Sequence, residues 1–356
     1  LIKKGSIGAT EMRQTEIVKT LRKRITGGEF PPGATLPLRS KLLEEYSISV
    51  ATFQKCINQL TREGFLESRG IKGTVVPKYP PHLFDYALVF PESPEQTNDS
   101  FFPALRNAGE QFAAENPGLR LRHYFVGGME PHTGKDMEQL IGNARNHLLA
   151  GIIFVNFVPS VEIQKELQPC PCAVISRRKA DSSHNYPSLE FDVESLLAQC
   201  LAALRKQGRK RIAALVYQNI SVERLIRLQK QLDPGHPEWL LGIDHIHGRA
   251  LLNRNLLKLL FKRPANERPD ALAVLNENFM PLAVETLAEL GLEPGRDVAL
   301  ASHCNFPMTG TQYPNADYFA YSARDVLETA FNLLKHAENG TVALIRPKSL
   351  AELQNQ

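Results

Sequence analysis

Hydrophobic positions between residues 12 and 76 follow a helical period three times over. Ile17, Val18, Leu21 and Ile25 repeat at three- and four-residue spacing, and Gly27-Gly28 ends the run. EFPPGATLP (29–37) follows, whose prolines and glycine dictate an extended connection. Leu42, Leu43 and Tyr46 share one face of a second, short helix that Ser47 breaks. Ser49 is a natural N-cap for a third. There Phe53, Cys56, Ile57 and Leu60 face inward, while Gln54, Lys55, Asn58 and Arg62 face outward. Gly64 stands where a left-handed residue closes a helix. FLES (65–68) and GTVV (73–76) are short strands around RGIK (69–72). The pattern predicts a winged helix-turn-helix over residues 12–76, preceded by a disordered tail at 1–11.

Beyond a proline-rich, poorly structured joint, PKYPPHLF (77–84), the pattern changes. Apolar, β-branched runs recur at ALVF, LRLRHYFV, GIIFV, CAVIS, RIAALVY, ALAVL and DVALAS. Helical patterns lie between them at 102–115, 134–149, 193–207, 221–232, 250–262 and 279–290. This alternation predicts an α/β body with parallel sheets over residues 85–350.

Charge sharpens the division. Residues 1–80 hold 14 Lys and Arg against 7 Asp and Glu, whereas the remainder holds 28 against 31. A basic head on a slightly acidic body is the footprint of a nucleic-acid module joined to something else. No apolar run reaches the roughly 18 residues of a membrane span. Lys3 and Lys4 lead into a polar stretch, so no signal peptide is expected. Five scattered cysteines (56, 170, 172, 200 and 304) suit a reducing cytoplasm rather than a disulfide framework. The lone CPC at 170–172 lacks the partners a zinc site needs. No G-x-G-x-x-G follows a strand, and there is no P-loop, no G-x-S-x-G and no H-E-x-x-H. No cofactor, no metal and no enzymatic activity are therefore expected.

GGEFPPGATLP, LLEEYSISVATF and LTREGFLESRGIKGTVV together resemble the DNA-binding domain of GntR-type bacterial transcription regulators. The resemblance implies operator binding through the third helix and the wing. The family places arginine after the capping serine and two residues after the threonine; Val50 and Gln54 stand there instead. Its arginine in the preceding helix is also displaced, with Arg39 one position early and Ser40 in its place. Phosphate contacts are accordingly expected from Arg39, Lys41, Lys55, Arg69 and Lys72, with Ser40, Ser49 and Gly73 as further DNA-binding candidates. Base reading is expected from Val50, Thr52 and Gln54 at an A·T-leaning site, because glutamine pairs with an adenine edge and valine meets a thymine methyl.

The body resembles the effector-binding domain of LacI-type repressors, which is akin to periplasmic sugar-binding proteins. SFFPALRNAGEQFAAEN, GIIFV and CAVISRR, and RPDALAVLNENFMPLAVETLAELGLEPGRDVALASH carry the likeness. It implies two lobes around a cleft, with Asn98, Asp99, Ser100, Phe101, Arg177, Asp192, Arg224, Asn276 and Glu277 as candidate ligand contacts. Several have a second reading. Arg224 can pair with a neighbouring acid, Asp192 can cap its helix, and Glu277 can be an acid placed by a helix dipole. Arg177 can belong to a solvated basic loop. SHCN (302–305) replaces the family's GFDD, a clear departure. The expectation is a cytoplasmic, homodimeric, sugar-sensing repressor that binds double-stranded DNA. The alternative is a winged-helix head fused to an enzymatic or purely dimerising α/β domain.

Overall fold

The computed structural model describes residues 4–93, 97, 99–127, 135–168, 170–176, 186–218, 220–243 and 249–355. The head comprises α1 (Lys4–Thr26), α2 (Arg39–Tyr46), α3 (Val50–Arg62) and an antiparallel ribbon of β1 (Glu67–Ser68) and β2 (Thr74–Val75). Its core gathers the expected stripe residues, with Leu21, Leu42, Cys56, Leu60 and Phe65 fully buried. Ser49 caps α3 by accepting from the Thr52 N–H at 3.2 Å. The other end closes as the sequence dictates. Gly64 takes φ 84, its N–H donates to Thr61 O, and the Phe65 N–H donates to Leu60 O at 2.9 Å. The extended connection pairs with the wing: the Leu36 N–H donates to Thr74 O, and the Val76 N–H donates to Ala34 O.

Helix α2 starts without a side-chain cap, because Leu38 occupies the N-cap, 79% exposed. An aliphatic side chain cannot accept from the first free amides. Leu38→Ser is expected to stabilise the chain by about 1 kcal/mol. The check is a shift of the urea midpoint to higher concentration with an unchanged slope.

Two expectations are corrected. Residues 4–11 continue helix α1 instead of forming a disordered tail. Extending an already nucleated helix requires no new nucleus. The joint at 77–84 is ordered. Residues Pro81–Phe84 form a helical turn, α4, with Pro81 buried, and Tyr79 meets Phe84 edge-on at 4.9 Å. Two aromatic rings and the buried Pro80 and Pro81 supply apolar surface that fixes so short a segment.

The body continues with β3 (Asp85–Phe90), α5 (Phe101–Glu115), β4 (Arg120–Phe125), α6 (Lys135–Arg145), β5 (Gly151–Val155), α7 (Val161–Glu166), β6 (Cys172–Ser176), β7 (Ser188–Phe191) and α8 (Val193–Lys206). Then come β8 (Ile212–Tyr217), α9 (Val222–Gln229), β9 (Leu240–Ile243), α10 (Ala250–Phe261), β10 (Ala271–Val274), α11 (Met280–Glu289) and β11 (Ala299–Phe306). The chain ends with β12 (Ala316–Ser322), α12 (Ala323–His336), β13 (Val342–Ile345), β14 (Lys348–Ser349) and α13 (Leu350–Gln354). Two six-stranded sheets result, in the orders β13-β7-β6-β5-β3-β4 and β14-β12-β11-β10-β8-β9. In the second, only β14 runs antiparallel to its neighbour. Strands β7, β9, β12, β13 and β14 carry too weak a period to stand out in the sequence.

The chain divides into two compact units, residues 1–89, 113–153 and 159–172 in one and residues 90–112, 154–158 and 173–356 in the other. In the first, the winged head does not stand alone. Buried Arg22 on α1 donates to Glu63 at 2.5 Å and to Asn146, just beyond α6, at 2.9 Å. Leu148 packs against the head's core. His82 stacks on Phe65 at 5.8 Å, and burial, with His147 nearby, lowers its pKa to about 4.

Candidate functional site

Two places are built for recognition, one in each unit. The first is the N-terminal face of α3. Its cap leaves Val50, Ala51, Gln54, Lys55 and Asn58 exposed along one side. Ser49 Oγ lies 3.0 Å from Thr52 Oγ1, and Gln54 Nε2 donates to Asn58 Oδ1 at 2.9 Å. The amide pair fixes how Gln54 presents its remaining donor and acceptor groups. Lys55, Asn58, Thr61, Arg62 and Gln14 line a shallow concavity beside it. Arg39, Ser40, Lys41 and Gly73 are exposed as expected. Arg69 is exposed but paired with Glu67 at 2.5 Å. The Lys72 side chain lies outside the described residues.

Another head arginine is structural. Arg24 donates to Glu29, to Glu45 at 2.8 Å and to the Tyr46 hydroxyl at 2.7 Å, which ties the end of α1 to α2. Its carboxylate partners raise its pKa, Glu29 foremost, so it stays charged. Exposed Leu38 and Ile71 were not singled out in the sequence; they stand at the start of α2 and the wing tip.

The second place lies at the carboxyl ends of β8, β10 and β11. Strand order reverses there: β8 leads outward to β9, while β10 and β11 follow on its other side. Such a switch point leaves a crevice beyond the strand ends. The crevice is a small pocket of about 50 Å3, walled by Phe191, Tyr217, Ile220, Leu275 and Tyr321, with Asn276, His303 and Asn305 as its polar lining.

Beside it sits a dense polar cluster. Ser100 precedes α5, and its Oγ donates to Asn278 Oδ1 at 3.0 Å and to the Glu277 carboxylate. The Asn305 N–H donates to Glu277 Oε2 at 3.1 Å, and Asn305 Nδ2 donates to the same carboxylate and, at 3.2 Å, to Ser100 Oγ. Asn278 Nδ2 donates to Asp99 Oδ1 at 3.2 Å. Asn276 accepts from the Asn278 N–H at 3.0 Å, and the Glu277 N–H donates to His303 Nδ1 at 3.4 Å. In that contact Nδ1 is the acceptor. Asn305 Oδ1 is buried with no hydrogen-bond partner among the described residues.

The structure therefore brings Asp99, Ser100, Asn276 and Glu277 together. It sends three other candidates elsewhere. Phe101 is core, 1% exposed, and meets Phe191 edge-on at 5.5 Å. Asp192 caps α8, accepting from the Ser195 N–H at 2.9 Å and the Ser195 hydroxyl at 2.6 Å. Arg224 is buried between Glu190 and Glu194, at 3.2 and 3.3 Å. Asn98 and Arg177 lie outside the described residues.

His303 and Asn305 were missed as site residues, although SHCN had marked their segment as unusual. Strand β11 runs through it, and a period of two puts 303 and 305 on the pocket face and Cys304 on the other. Burial and the nearby Glu277 push the Cys304 thiol up to about 12, so it carries no thiolate at neutral pH. Among the described residues, no group of three His, Cys, Asp or Glu can hold a metal ion. No described helix is long and apolar enough to cross a membrane.

Residues 13–76 match the family model of bacterial regulatory proteins, gntR family. No curated protein sequence matches the chain. Among solved structures, a regulatory protein of the LacI family from Chloroflexus aggregans is similar, with TM-score 0.53 and 17% identity, over 75% of this chain and 96% of that one. A LacI family transcriptional regulator from Arthrobacter sp. FB24, in complex with lactose, gives TM-score 0.56 and 16% identity over 75% and 97%. The transcriptional regulator CelR in complex with cellobiose gives 0.56 and 15% over 85% and 90%. The chain thus joins a GntR-type winged helix-turn-helix to an α/β body with the fold of LacI-family, periplasmic-binding-protein-like regulators.

Proposed function

We propose that this chain is a ligand-responsive transcription regulator. It binds operator DNA through α3 and the wing and senses a small polar metabolite in the pocket at the strand switch point. One observation carries the reading: a capped, exposed recognition helix shares a chain with a pocket whose buried Asn305 acceptor has no hydrogen-bond partner among the described residues. A carbohydrate is the favoured class, since two similar structures hold cellobiose and lactose. Asn276, Asn305, His303 and the Ser100–Glu277 cluster offer the hydrogen bonds, and Phe191, Tyr217 and Tyr321 offer faces for a sugar ring.

A ligand shifts the body's conformation only through its differential affinity for two states. Paired heads turn that shift into a change of operator affinity, because half-site spacing is fixed by the duplex. The proposed dimer surface is α10, where Leu252, Leu256 and Leu259 are exposed at helical spacing beside Leu251. Repression is the expected sense, by occlusion of a promoter.

The test uses the full chain. A thermal-shift screen of cellobiose, lactose, other sugars, sugar acids and nucleosides is expected to raise the melting temperature for one class. A ligand at a hundred times its Kd adds about 2.7 kcal/mol. If no compound shifts melting, sensing is refuted. On the DNA side, Lys55→Ala is expected to weaken binding across sequences and lower the salt slope by about one. An unchanged slope would place the phosphate grip elsewhere.

A further inference from the structure

The wing tip presents an aliphatic side chain to solvent. Ile71 is fully exposed and sits in a single 3-10 turn, Gly70–Lys72, between Gly70 at φ 58 and Gly73 at φ 82. The turn is tied at its base. The Arg69 N–H donates to Gly73 O at 2.9 Å, and the Gly73 N–H donates to Gly70 O at 3.0 Å. The ribbon beneath is held by the strand pairs Glu67–Val75 and Ser68–Thr74 and by the bonds from the Leu36 connection. The side chain therefore projects from a preorganised loop, and little ordering cost remains when it meets a partner.

Single exposed aliphatics are ordinary on protein surfaces. This one is distinguished by where it stands and by its company. Its neighbour Arg69 turns back onto Glu67. Val50, at the first helical position of α3, and Leu38, at the start of α2, are likewise exposed. Each of the three ends that a winged helix offers to a duplex thus begins with an aliphatic group, on a head with twice as many basic as acidic residues.

We propose that Ile71 enters the minor groove of the bound duplex as an apolar wedge and sets a preference for A·T-rich, deformable steps there. The inference rests on the DNA-binding reading above. At G·C pairs the minor groove floor carries the guanine 2-amino donor, and at A·T pairs it carries none. An isoleucine covering that donor accepts nothing from it and leaves it without a hydrogen bond. Apolar side chains inserted from this groove unstack a base step in part, and pyrimidine–purine steps yield most readily. The basic head supplies the sequence-independent grip, so the wedge adds discrimination.

The full chain is first used to select duplexes from a random-sequence pool, and the wing's footprint on the selected duplex is mapped by minor-groove hydroxyl-radical protection. Wild type and Ile71→Ala are then titrated against this duplex at several salt concentrations. The variant is expected to bind about tenfold more weakly with an unchanged salt slope, because it loses an apolar contact and no phosphate contact. Placing G·C in the footprint is expected to weaken wild type about tenfold, and inosine·cytosine, which lacks the 2-amino group, to restore it. Ile71→Ala is expected to bind all three duplexes alike. Equal affinity of variant and wild type, a reduced salt slope, or a change in the free protein's sedimentation would each overturn the wedge; the last would mark Ile71 as a protein contact. If the selection enriches no duplex, the DNA-binding reading falls too, whereas enrichment without an Ile71 effect refutes the wedge alone.

Discussion

Arg224→Met is expected to lower the unfolding free energy by about 3–5 kcal/mol, the range for removing one partner of a buried ion pair. The guanidinium lies between Glu190 on β7 and Glu194 in the first turn of α8, with its side chain 6% exposed and that of Glu190 9%. Methionine fills much of the volume but leaves two carboxylates facing each other without the intervening cation. Arg227 still reaches Glu194 at 2.9 Å, so the cost falls mainly on the Glu190 side. Adding Glu190→Leu is expected to recover most of the loss, since apolar replacement of a buried pair is often neutral. A double-mutant cycle in urea on the full chain measures this coupling. If Arg224 were instead a solvated ligand contact, its replacement would change stability by no more than about 0.5 kcal/mol and only the effector response would suffer.

Phe101→Ala is expected to be as severe, about 3–5 kcal/mol, because it removes a fully buried aromatic ring. Phe101 meets Phe191 edge-on, and Phe191 meets Tyr321 at 4.8 Å and 72°. The last two line the pocket, so the lost ring also loosens its wall. The measurement is the urea midpoint, followed by effector affinity under conditions where the variant is folded. A variant with wild-type stability and weakened effector binding would return Phe101 to the ligand side.

Both residues were candidate contacts in the sequence; Phe101 packs against the pocket wall, and Arg224 is held between two carboxylates with its Nη1 buried and without a hydrogen-bond partner among the described residues. The reason lies in what a motif position specifies. Alignment with a family pattern places a residue in a segment; the direction of its side chain follows from backbone angles and neighbours. Asp192 shows the same. Its segment lies beside the pocket wall, and its carboxylate is spent on the first turn of α8.

The head was legible almost to the residue. Its period, caps and glycines are local signals, and each resolves within a few residues of chain. The Ser49 cap and the Gly64 closure needed only residues 49–65. Leu38 escaped notice because an absent cap leaves no signal to read. In the body, strands with continuous apolar runs were read and others were missed. Ser188–Phe191 alternates polar and apolar residues over only four positions, too short a stretch to stand out, and burial on both faces hides Ser188 and Glu190 where a polar surface would be expected.

By itself the sequence determined the fold class, the winged head with its capped recognition helix and basic charge, and the strand–helix grammar of the body. All of these arise from contacts near in sequence or from composition. Only the tertiary structure decided which polar groups share a site. Ser100 meets Glu277 and Asn305 across 177 and 205 residues. Parallel strand order, fixed by long crossovers, brings those segments to one crevice, and burial there forces each polar group to find a partner. Nothing local in Asn305 foretells its place beside the pocket.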